Sequence, residues 1–215
     1  MKCIDKLYEF RIIGGDPFMN KTMYEIINKL VVYDNVEQVT IYTNATILPK
    51  GENLECLKNK KVRLQITNYG DLSRKHEETI KFCETNNILY VTERVKKWQD
   101  LGKIKYEKKT VDELENLFKN CCANNLLTFL HGKLHVCPTA AHGTNLGIIP
   151  NNPKDIVDLS DDNMSIKETR DKLRDLYYNK KFLTACSYCK GRDYGFGEID
   201  AAIQTKKPLP LPNAN

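Results

Sequence analysis

The sequence predicts an α/β fold: strand–helix units that build a parallel sheet, followed by a smaller α+β region rich in cysteine. Three observations carry this. Apolar, β-branched segments begin at Leu7, Val36, Lys61 and Ile88, so strand starts recur every 25 to 29 residues, the period of right-handed βαβ units in a parallel sheet or barrel. The chain changes character near Lys108, where capping boxes and a hairpin replace the strand–helix repeat. Five of the eight cysteines lie in the last 95 residues. The predicted domains are therefore 1–108 and 109–205, with a Pro-rich tail at 206–215.

In the first half, "LYEFRIIGG" (7–15) reads as a buried strand that runs into a glycine loop. Asn20 is placed to cap a helix whose apolar face is Met23, Ile26, Ile27, Leu30 and Val31. "VEQVTIYTN" (36–44) and "KVRLQITNYG" (61–70) are the next strands, the second with period-two alternation and a closing glycine. Ser73 is placed to cap a helix to about Asn86, ahead of the strand "ILYVTER" (88–94). Cys56 and Cys83 fall among apolar helical residues and read as small core side chains, and Cys3 has no cysteine neighbour.

In the second half, Thr110 and Glu113 form a capping box that opens a helix to about Lys119, directly before Cys121 and Cys122. "LLTFLHGKLHVCP" (126–138) reads as a hairpin turning at His131, Gly132 and Lys133 and ending on Cys137. A loop rich in Gly, Asn and Pro is expected over 143–155. Ser165 and Glu168 make a second capping box for a helix to about Asn179, and Cys186 and Cys189 follow it.

Charge limits the function classes. There are 33 basic and 28 acidic side chains, a net +5, but lysines alternate with acids along most of the chain, which reads as a solvated mixed surface. Without a basic stripe interleaved with aromatics, nucleic acid is a disfavoured partner. No secretory segment and no apolar run near eighteen residues is present, so the expectation is a cytoplasmic protein that spans no membrane.

In a reducing compartment, clustered cysteines point to metal rather than to disulfides. Four soft ligands can be assembled: Cys121 or Cys122, then Cys137, Cys186 and Cys189. The C-x-x-C turn lets two thiolates face one centre, and Lys190 and Arg192 just beyond it offset their charge. A zinc ribbon shows two such knuckles and this chain has one. A whole hairpin separates the first two ligands, a spacing that favours an iron–sulfur cluster. Zinc, thiol redox chemistry and plain packing are the alternatives. His131, His135 and His142 are close enough in sequence to Cys137 to support it, and His142 is the one worth testing; a satisfied surface histidine is the simpler reading for each.

These residues resemble the radical S-adenosylmethionine family. "RIIGGDPFMN" (11–20) is similar to the Gly-Gly-Glu-Pro segment after the second strand of that barrel, and "TIYTNATIL" (40–48) to the Thr-Asn strand end that follows. The order of Cys121 or Cys122, Gly132, Cys137 and then Cys186 and Cys189 resembles the SPASM/twitch domain appended to the barrel, in its one-cluster twitch form because the later cysteines are missing. The resemblance implies an incomplete parallel (β/α) barrel followed by a small twitch-type domain with one auxiliary [4Fe–4S] cluster. It implies cofactor contacts at Gly14, Gly15, Asp16, Pro17, Thr43, Asn44 and Thr67, with Asp16 standing where the family has the longer Glu.

One part of the pattern departs from the family. The C-x3-C-x2-C loop that holds the catalytic cluster occurs nowhere in these 215 residues. The expectation is a truncated or degenerate relative that does not itself cleave S-adenosylmethionine and binds it weakly or not at all. A small molecule, sugar or peptide as substrate, and an electron donor such as flavodoxin or ferredoxin, are implied by the resemblance alone. The competing expectation is a non-catalytic module in which four cysteines hold structural zinc or iron–sulfur.

Overall fold

The computed structural model describes residues 1–100, 104–191 and 197–202. The chain divides into two compact units, which among the described residues are Met1–Trp98 with 200–202, and Gln99–Ile199. The division at Trp98 precedes the compositional change at Lys108. The reason is local: the Glu107 N–H donates to the Ser187 carbonyl (2.7 Å), so this lysine-rich segment belongs with the unit that carries the Cys186–Cys189 turn. The Pro-rich tail and Arg192 lie outside the described residues.

The first unit is a four-stranded sheet of β1 (Leu7–Ile12), β2 (Val36–Thr43), β3 (Val62–Asn68) and β4 (Leu89–Arg94). The strands lie in sequence order, and every neighbouring pair is parallel. Register sets the two faces. Phe10 pairs with Val39 and Ile12 with Ile41, while Val39 and Ile41 pair with Val62 and Leu64. Period-two alternation therefore gathers these residues on one face. They share one core cluster with Met23 and Ile27 of helix α1 (Met23–Val31), Leu57 of a 3-10 turn, and Cys83 of helix α3 (His76–Thr85). The short helix α2 (Glu52–Glu55) contributes Asn53, which accepts from the Tyr24 N–H (2.9 Å) and donates to the Asn20 carbonyl (3.0 Å), fixing the entry to α1.

The opposite face is polar. Glu9 accepts from Arg11, Gln38 and Thr40 there; burial pushes its carboxyl up, but the Thr40 and Arg11 hydrogen bonds and the Arg11 and Arg63 charges hold it below the usual carboxylate range. Two helix starts differ from the sequence expectation. The Asn20 side chain accepts from Thr22, so α1 begins two residues later at Met23. The Ser73 hydroxyl accepts from the Tyr69 N–H and donates to the Thr67 carbonyl, which leaves it unable to cap α3.

The second unit opens with helix α4 (Val111–Lys119), and its Thr110–Glu113 capping box is formed in both directions. Strands β6 (Thr128–Leu130) and β7 (Lys133–His135) make the expected hairpin. Its two turn residues, His131 and Gly132, have φ of 49° and 78°, the positive values that a tight primed turn requires. Strand β8 (Ile156–Asp158) adds antiparallel to β7. Helix α6 (Ile166–Arg174) starts at the Ser165–Glu168 capping box and continues as a π-helical turn over Asp175–Asn179. Strands β5 (Lys97–Gln99) and β9 (Glu198–Asp200) form a two-stranded sheet.

One helix was not legible. Residues Pro138–Asn145 form α5, which overlaps the expected loop. Pro138 sits at the first turn, where a missing N–H costs nothing. Gly143 persists inside the helix because a Cβ there would come within 2.4 Å of the Ile149 side chain. Among the described residues no helix is long and apolar enough to cross a membrane.

Candidate metal centre

Three local structures of the second unit each end on cysteine. Helix α4 closes at Asn120, and the next turn begins at Cys121, whose N–H donates to the Phe118 carbonyl (3.1 Å). The β6–β7 hairpin delivers Cys137 to the N-cap of α5, where the positive end of the helix dipole favours a thiolate. A 3-10 turn, Thr184–Tyr188, carries Cys186, and the chain leaves it extended at Cys189.

Cys121, Cys137, Cys186 and Cys189 all line one cavity of about 110 Å³. Its other walls are largely apolar, from Leu117, Phe118, Pro138, Leu183 and Ala185. This is roughly an order of magnitude more space than the ~10–15 Å³ that admits a single water. Among the described residues, no group of three or more His, Cys, Asp or Glu side chains is disposed to hold a metal ion. The four thiols share the lining of this one cavity.

Each of these four sulfurs accepts a backbone N–H. Ala123 donates to Cys121 (3.4 Å), Ala140 to Cys137 (3.2 Å), Leu183 to Cys186 (3.4 Å) and Gly191 to Cys189 (3.3 Å). Donors aimed at sulfur favour the thiolate over the thiol. Cys56 shows the reverse polarity, since its Sγ donates to the Asn53 carbonyl (3.4 Å). None of the eight cysteines, all of them among the described residues, is in a disulfide.

Burial pushes the Cys137 thiol up to about 11 and the Cys186 thiol up to about 12. Their N–H donors oppose that shift, and neighbouring cysteines of the same cavity add to it. Near neutral pH burial therefore favours the neutral thiol at Cys137 and Cys186, and holding them as thiolates would take a positive centre beside them.

The geometry separates two residues that spacing left equivalent: Cys121 lines the cavity and Cys122 does not. Nor do the histidines line it. His131 and His142 are exposed. His135 is buried, and burial, reinforced by the charges of Lys133 and His142, lowers its pKa and keeps it neutral. Beside the C-x-x-C turn, Tyr106 and Tyr188 meet edge to face at 5.5 Å. Glu107 is held below the usual carboxylate range by its hydrogen bond from Lys109, with Lys190 and Lys105 adding to the effect.

The glycine-loop residues assemble only in part. The Asp16 Oδ1 accepts from the Phe18 N–H (3.0 Å), while Oδ2 accepts from the Thr43 hydroxyl (2.8 Å) and the Asn44 N–H (3.2 Å). Asp16, Pro17 and Thr43 are buried, so this carboxylate ties the ends of β1 and β2 together. Gly14 and Gly15 are exposed, adopt no left-handed φ, and have nothing within 4 Å of where a Cβ would stand. Thr67 is not part of the knot. Thr43 pairs with Ile66, which puts Thr67 on the other face of the sheet.

The sequence reading missed the groups that hold the C-x-x-C turn from behind. The Asp155 carboxylate accepts from the Thr184 N–H (2.8 Å) and from the Lys180 ammonium (3.0 Å), and the Asn152 side chain donates to the Thr184 hydroxyl (2.8 Å). The signal available was "NNPKD", an Asn cap with Pro at the next position. No protein-family model matches the chain, and no curated protein matches it.

Proposed function

We propose that the protein holds a [4Fe–4S] cluster on Cys121, Cys137, Cys186 and Cys189. The observation that carries this reading is that four sulfurs, each accepting a backbone N–H, line a single cavity of about 110 Å³. A single zinc bound by the same four thiolates, with each sulfur ~2.3 Å from the metal, is the competing occupant. Four protein thiolates leave no iron open to a substrate, so the role is electron transfer or structural support. When bound, such a cluster supplies one-electron redox chemistry.

The wider reading is a radical S-adenosylmethionine lineage, in which the parallel strands β1–β4 form an arc of a (β/α) barrel and the second unit is a twitch-type cluster domain. Sequential strand order supports it, because a doubly wound sheet would reverse order partway. The exposed Gly14–Gly15 backbone is where a cofactor ammonium would meet carbonyl groups. These 215 residues hold no C-x3-C-x2-C, so on this reading they are a truncated or degenerate relative that does not itself supply the ligands of the catalytic cluster. A one-electron carrier such as flavodoxin or ferredoxin is the proposed partner, and the substrate class is a small molecule, sugar or peptide.

Anaerobic reconstitution of Cys121→Ser and Cys122→Ser tests the ligand set. The first is expected to lose most of the broad absorbance near ~400 nm and the second to keep it. Loss confined to Cys122→Ser would contradict the assignment.

A further inference from the structure

We propose that Asp155, with Asn152 and Lys180, is the positioning group of this centre and sets the Thr184–Tyr188 turn so that Cys186 and Cys189 face the cavity. The inference rests on reading those cysteines as ligands. It adds a residue that no ligand spacing would identify.

Asp155 is 7% exposed, so each of its oxygens needs an internal partner. Oδ2 takes the Thr184 N–H and Oδ1 takes the Lys180 ammonium. Asn152 grips the same Thr184 through its hydroxyl, and its own Oδ1 accepts from the Lys154 N–H (3.1 Å), which fixes the gripping side chain. Thr184 is thus held by main chain and side chain together. The next turn of chain closes at once: Cys186 N–H donates to the Leu183 carbonyl (2.9 Å), and Leu183 N–H donates to the Cys186 sulfur.

Ala185, directly after the gripped residue, lines the cavity. A shift at Thr184 is therefore passed to Cys186 two residues on. The Lys180 contact matters because a buried carboxylate without a cationic partner is costly.

The test compares Asp155→Ala, Asp155→Asn and Asn152→Ala in the iron-free chain, by mass spectrometry of iodoacetamide modification at Cys186 and, as an internal control, Cys56. Removing the charged acceptor is expected to raise Cys186 modification about tenfold or more. Cys56 should stay unchanged. Asp155→Asn keeps an acceptor for the amide and should stay within about threefold of wild type. Equal Cys186 rates in Asp155→Ala and wild type overturn the proposal, as does a rise at Cys56 in step with Cys186.

Should Asp155→Ala fail to fold, Asn152→Ala decides: a rise of roughly threefold at Cys186 alone supports the clamp, and no rise overturns it. In the reconstituted protein the same variants are expected to release iron to a chelator faster. If the wild-type chain takes up no iron, the cluster reading fails, while the modification rates still judge the clamp.

Discussion

Cys56 and Cys83 in the first unit and Cys137 and Cys186 in the second are the same residue type, and burial raises the thiol pKa of all four. Their surroundings differ in kind. Cys83 is fully buried in an apolar cluster, and the Cys56 sulfur donates its proton to a carbonyl. Cys137 and Cys186 face a cavity shared with two other thiols and accept N–H bonds. Burial alone makes a cysteine a small hydrophobe. Burial with convergent thiols and N–H donors at sulfur is the setting on which the proposed ligand role rests.

The sharpest way to break this comparison is to remove sulfurs in pairs. Cys186→Ala with Cys189→Ala should abolish iron uptake, whereas Cys56→Ala with Cys83→Ala should leave iron per chain unchanged; bleaching by the second pair would reverse the assignment. A large core truncation should act on stability only. Ile41→Ala removes a fully buried strand residue and is expected to cost about 2–5 kcal/mol in denaturant unfolding, with no loss of iron from chains that remain folded.

The smallest effect is on pH dependence. The Cys56 and Cys83 thiols are raised from 9.0 to about 11. Above pH ~9 the unfolded chain gives up protons that the folded chain keeps, so their contribution is present below that pH and is lost as pH rises towards 11. The melting temperature should therefore fall between pH 9 and 11, and fall less steeply in the Cys56→Ala, Cys83→Ala protein. An unchanged slope would mean that these thiols titrate alike in both states.

Much of the fold was legible because its signals are local. All four parallel strands were set by apolar β-branched runs, and both capping boxes by residues three apart. Helix α5 was hidden because Gly143 looks like a breaker until its contact with Ile149 is seen. Of the cysteines that line the cavity, Cys137, Cys186 and Cys189 were picked out by spacing. The choice of Cys121 over Cys122 did not, because it depends on which way a turn faces a cavity. Asp155 was beyond sequence for the same reason: its partners lie 25 and 29 residues away. Asp16, expected at a cofactor, engages both oxygens within its own turn and at the end of β2.

The central claim is that four thiols enclose a cluster and not a lone ion. Iron, acid-labile sulfide and zinc counted per chain after anaerobic reconstitution test it most directly. The account predicts about four irons and four sulfides with no zinc. One zinc per chain without sulfide, in a colourless protein, would contradict it.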